Sequence, residues 1–206
     1  MFHWKIIIVL IVLQIMSFFF NLYFKKKDKE IDSDIGVEEE KSICITNDMK
    51  DFIMHWIKYA QNMFSYSQAI IKKNDDVKKY YNDLINTKDN LIRLFSKLNK
   101  QYSSQFENLI NEQIDIKTDL CNAVLQNNQT EIKEYSDELI NNTKELGDLF
   151  SEIKKDKGND LKLKDAMNSH TDKYIKSMKL VKKVDNDELG RELVLGSIET
   201  AKLLFV

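Results

Sequence analysis

A chain of 206 residues, 43% hydrophobic and 31% charged, holds one ordinary domain with appendages, and its surplus of charge suits helices that keep one face in water. It has no proline and only five glycines, so the turn chemistry of hairpins and the glycine-rich loops that cradle phosphates are missing, which excludes an all-β fold and a nucleotide cofactor held in that way. The net charge of -2 comes from acids and lysines interspersed along the chain, without the basic stripe that would release counterions from a nucleic acid, so no nucleic-acid partner is expected.

The chain is uncharged from Ile6 to Phe24, a stretch that an α-helix draws out to roughly 28 Å, close to the hydrocarbon thickness of a bilayer. Trp4 and Tyr23 stand at its two ends, where amphipathic rings favour the interface. A cleaved signal peptide would need small residues after the apolar run, whereas here Phe18, Phe19 and Phe20 lead through Tyr23 and Phe24 into lysines. The sequence therefore predicts a single-pass anchor over 1–27 whose partner is the lipid bilayer. Lys25, Lys26, Lys27 and Lys29 follow the span and only Lys5 precedes it, so the positive-inside rule places the remainder in the cytosol, at a host or viral membrane. The sequons at Asn128 and Asn141 would argue for the opposite side if used, but an Asn-rich chain generates such triplets by chance.

Residues 28–45 are highly charged and nearly free of core residues, which predicts a flexible linker. From 46 to 206 the pattern is helical, with apolar residues recurring at three and four. A first helix opens at Thr46 and Asn47, carries Ile53, Trp56, Ala60, Met63 and Ile70, and runs to about Lys73. Val77 to Leu98 forms a second, with a bend expected near Asn86 to Asn90. A capping box of Ser104 and Glu107 is expected to open a third through Phe106, Leu109, Ile110, Ile114, Leu120 and Val124, which Asn127 and Asn128 end. The fourth runs from about Thr130 to Ile153. Lys157, Gly158 and Asn159 supply the next stop, and two further segments carry Leu163, Met167, Tyr174, Met178 and Val181, then Leu189, Leu193, Ile198, Ala201 and Leu204. Each helix is marginal alone and must bury its apolar face against the others, so the predicted fold is all-α: an antiparallel bundle of four long helices with breaks, up to six segments. Cys44 and Cys121 form no zinc spacing and read as two free thiols.

Four polar side chains fall on these apolar stripes: Tyr59, Gln113, Asn142 and His170. A buried polar group left unpaired costs about 1 to 3 kcal/mol, so four that converge make either a hydrogen-bond network or a small-ligand site. His170 is a competent metal ligand, whereas Tyr59 and Gln113 are poor ones for zinc and its neighbours. No Ser-His-Asp or Cys-His arrangement is present, and no catalytic residue is assigned.

With these residues in view, Phe52 to Val206 resembles a widespread family of small helical-bundle proteins, mostly bacterial with some members in large DNA viruses, that has no established activity. The family's opening Leu-Trp-x-x-His is similar to His55-Trp56-Ile57-Lys58-Tyr59, its Glu-His-Ile to Glu112-Gln113-Ile114, and its Asn-x-x-x-Ile to Asn142 through Leu146, while His170 matches a third family histidine. The resemblance implies a bundle of four long helices and an interior site, similar to that of damage-inducible metal-binding bundles, of which this sequence keeps one histidine in three; it implies no reaction. Two functions follow as expectations. The first is a membrane-tethered, non-enzymatic interaction or structural module with a protein partner; the second is a degenerate metal- or small-ligand-binding bundle. An AT-biased viral protein that has acquired an anchor would fit both composition and resemblance.

Overall fold

The computed structural model describes residues 46–154, 160–181 and 187–205, all within one unit spanning 43–206. The expected anchor and linker lie outside the described residues, and no described helix is long and apolar enough to cross a membrane.

Every regular element among the described residues is a helix: α1 (Asn47–Ile71), α2 (Val77–Leu98), α3 (Ser103–Gln126), α4 (Gln129–Lys154), α5 (Asp160–Leu180) and α6 (Asp187–Phe205), with a single 3-10 turn at Lys100–Tyr102. Thr46 starts α1 by accepting the Met49 amide on its hydroxyl, with Asp48 in the first turn facing the positive end of the helix dipole. Lys73 ends α1 in the left-handed conformation, with the Asn74 amide reaching back to Ala69 O and the Lys73 amide to Ile70 O, so the last carbonyls are satisfied. The same motif closes α3. Asn127 takes the left-handed cap, and the next residue, Asn128, accepts the Glu131 amide on Oδ1 and so opens α4. Two adjacent asparagines thus terminate one helix and start the next.

Cross-helix contacts fix the topology. Along α1, Phe52, Asn62 and Tyr66 meet Phe95, Thr87 and Tyr81 of α2 in reverse order. Phe106 and Gln113 of α3 meet Phe150 and Asn142 of α4, again reversed, and Asp148 and Thr143 of α4 meet Lys164 and Thr171 of α5. These pairs are antiparallel, as their short connections require. Diagonally, Phe52 with Phe106 and Tyr59 with Gln113 run in the same order, so α1 and α3 are parallel across the core.

Three expectations are corrected. The buried stripe of α1 is Phe52, Trp56, Tyr59, Met63, Tyr66 and Ala69, while Ile53, Ala60 and Ile70 lie at its edges. The helix is rolled so that its large aromatics, which remove the most apolar area from water, take the centre. Val77–Leu98 is one unbroken helix through Asn86–Asn90; Asn90 and Thr87 each bond a carbonyl four residues back, so these polar groups are satisfied without interrupting the ladder. Ser104 caps nothing, because the 3-10 turn runs straight into α3 at Ser103, and that helix carries no side-chain cap. The stop expected at 157–159 lies outside the described residues, as does Cys44. Cys121 is a buried free thiol.

Candidate functional site in the bundle interior

Three of the four polar residues singled out in the sequence are joined. Tyr59 of α1 donates its hydroxyl to Gln113 Oε1 of α3 at 3.3 Å, and Gln113 Nε2 donates to Asn142 Oδ1 of α4 at 3.3 Å. Asn142 Nδ2 in turn donates to Leu109 O at 3.0 Å and to Glu112 Oε2 at 2.9 Å. Tyr59, Gln113 and Asn142 are all buried, whereas Glu112 is exposed.

The residue that completes this chain is Lys117, one turn beyond Gln113. Its Nζ donates to the same Gln113 Oε1 at 3.0 Å and lies over the Tyr174 ring, 4.7 Å from its centroid, and 5.9 Å from that of Tyr59. The lysine is 6% exposed. Its surroundings favour the uncharged amine: burial pulls its pKa down from 10.5 to about 7, against a smaller opposing effect of Cys121. Rings at cation–π distance and a carbonyl acceptor partly replace lost hydration.

The chain has a direction. Gln113 must present its oxygen to Lys117 and Tyr59 and its amine to Asn142, which must present its oxygen to Gln113 and its amine to Glu112. Two amide dipoles are thereby aligned between the interior Lys117 amine and a surface carboxylate, so Lys117 and Glu112 interact through oriented side chains instead of an ion pair. Burial also pushes the Tyr59 hydroxyl well above its ordinary pKa, so it acts here as a neutral donor.

A second polar set lies one to two turns farther along. Tyr174 of α5 is 2.6 Å from Ser67 Oγ of α1, and Ser67 donates to Met63 O, which leaves Tyr174 as the donor in the first bond. Cys121 Sγ lies 3.8 Å from the Tyr174 hydroxyl and 3.9 Å from Met178 Sδ, and burial raises the thiol's pKa to about 11. That thiol is a neutral packing group and not a nucleophile at neutral pH. Thr143 and Thr171 join α4 to α5 at 2.8 Å.

His170 stands apart: no hydrogen bond links it to Tyr59, Gln113 or Asn142 among the described residues. Its Nδ1 is buried without a partner, and it faces Gly196 of α6 so closely that a Cβ at that glycine would sit 2.9 Å from it. Gly196 is thus the residue that lets α6 approach the imidazole. Burial first, and the charges of Lys117 and Lys173 in the same sense, together lower the histidine's pKa to about 3, so His170 is neutral at physiological pH.

Lys117 is not among the residues that the sequence singles out, because only polar residues of other types were sought on the apolar stripes. The signal was in the spacing: Lys117 stands four after Gln113, three after Ile114 and four before Cys121, all on the inner face of α3. Among the described residues no group of three or more His, Cys, Asp and Glu side chains is arranged to hold a metal. Comparison with family models, with curated proteins and with solved structures gives no match for this chain.

Proposed function

We propose that the chain is a membrane-tethered helical bundle whose role is interaction or support, with the span Ile6–Phe24 in a bilayer, residues 28–45 as its spacer and the bundle on the cytosolic side of a host or viral membrane. The tether rests on the uncharged span and the lysines that follow it. The observation that carries the non-enzymatic reading is the state of the interior: Gln113 and Asn142 have their amide groups committed to Lys117, Tyr59, Leu109 and Glu112, and of the two expected arrangements of these polar groups this is the hydrogen-bond network. A metal ion at His170 would have to approach the charges of Lys117 and Lys173 that act on that imidazole, which disfavours the metal-binding alternative there. The resemblance to the small helical-bundle family agrees with this reading of the fold and adds no reaction to it.

The test is fractionation of the full chain expressed in cells. The chain should pellet with membranes, resist alkaline carbonate, and become extractable when residues 1–27 are removed. Asn128 and Asn141 should stay unglycosylated in a eukaryotic host. A full chain recovered in the soluble fraction refutes the tether, and glycans at those sequons reverse the orientation.

A further inference from the structure

Lys117 occupies a buried position with no counter-charge beside it. Groups face it from the helices packed around it: Tyr59 from α1, Gln113 and Cys121 from its own helix α3, and Tyr174 and the neutral His170 from α5, with Asn142 of α4 one bond behind Gln113. Among these there is no carboxylate; the nearest one in the hydrogen-bond chain, Glu112, is two amides away at the surface. A proton on Lys117 therefore places an ammonium in a core with one carbonyl acceptor, two aromatic rings and no carboxylate, beneath the Tyr174 ring by which α5 covers it, and water reaches that ammonium only where this cover loosens.

We propose that Lys117 is a proton-operated switch in the bundle: with its amine neutral, α5 seats against α1 and α3 through Tyr174, Cys121 and Met178, and uptake of a proton at Lys117 loosens that seat. The contacts that would give way are the Ser67–Tyr174 and Cys121–Met178 pairs, whose partners come from different helices. Neither pair holds a charge that could offset the ammonium.

The direction follows from linkage. The lysine's pKa is about 7 in the bundle and near 10.5 in the unfolded chain, so the unfolded chain binds the extra proton between those values and stability rises with pH across that window. Below pH 7 both states are protonated and the full penalty applies. His170, lowered to about 3 from 6.5, adds a rise of the same sign but at more acid pH, whereas Cys121, raised to about 11 from 9, removes stability as pH climbs above 9.

The experiment uses the full chain in detergent micelles with isotope-labelled lysine side chains. One lysine resonance, absent in Lys117→Met, should titrate near pH 7, and amide exchange in α5, corrected for its intrinsic pH dependence, should slow as pH rises from 6 to 9. Lysine linkage alone raises the folded-to-unfolded ratio roughly a hundredfold over that range, and Lys117→Met should lose this dependence while keeping the smaller one due to His170. If every lysine titrates above 9, the switch is refuted, and this readout does not depend on any variant folding. A Lys117 resonance that titrates near 7 with no change in α5 exchange would overturn the loosening. An undiminished pH dependence in a folded Lys117→Met would assign it to another group.

Discussion

The two halves of the described core meet the same requirement by different chemistry. Where the start of α1, the end of α2, the start of α3 and the end of α4 come together, the core is a set of rings: Phe95 stacks on Phe106 at 3.9 Å between centroids, Phe52 and Phe150 lie at 6.1 and 6.0 Å from Phe106, and Trp56 meets Phe150 edge-on at 5.8 Å. Two turns along, α1, α3 and α4 meet through Tyr59, Gln113, Lys117 and Asn142. The aromatic layer needs only volume and tolerates small errors of register, whereas the polar layer is satisfied only when each amide points one way. The first removes large rings from water, and the second selects the one arrangement of α1, α3 and α4 in which every donor finds its acceptor.

The comparison is broken most severely on the aromatic side. Phe106 is fully buried and touches three other rings, so Phe106→Ala should destabilise the bundle by about 3 to 5 kcal/mol, read as a lower urea midpoint at unchanged slope. A loss under 1 kcal/mol would mean that the ring cluster is not a core.

On the polar side a near-isosteric change is the sharper instrument, because it alters direction without leaving a cavity. In Asn142→Asp one carboxylate oxygen still accepts from Gln113, but the other faces Leu109 O and the Glu112 carboxylate, where the native amine donates. The expected loss is about 2 to 3 kcal/mol at neutral pH. Burial and Glu112 raise the new carboxyl's pKa in the folded state, so the penalty is present above that value and shrinks as pH falls. A variant as stable as the parent at pH 7 would show that the amide direction is not enforced.

The contrast between the layers also accounts for what the sequence disclosed. Helix number, most boundaries and the all-α class were legible because apolar spacing, Thr46 and the paired Asn127 and Asn128 are local signals with local causes. The roll of α1 was not, since choosing Phe52 and Tyr66 over Ile53 and Ala60 depends on what the neighbouring helices offer. Tyr59, Gln113 and Asn142 could be selected as polar residues on apolar faces, and the structure joins them. His170 was selected by the same rule, yet its Nδ1 is turned to the Gly196 backbone, a relation between α5 and α6 that no periodicity encodes. Lys117 carried a signal in its position, four after Gln113 and four before Cys121 on the inner face of α3, and was not singled out.

The smallest expected effect tests whether the two donors on Gln113 share one acceptor. Tyr59→Phe removes a hydroxyl from Gln113 Oε1, but Lys117 still donates there, so the loss should be about 1 kcal/mol or less. In a Lys117→Met background the same change strips the buried carbonyl of its last side-chain donor, and the loss should grow to about 1 to 3 kcal/mol. The four stabilities of this cycle, measured at pH 8 by urea unfolding, are read as one coupling. Equal losses in both backgrounds would mean that Tyr59 and Lys117 act on Gln113 independently, and the polar layer would then be a set of separate bonds with no shared direction. A larger loss in the lysine-free background makes Gln113 the point through which α1, α3 and α4 are held in register.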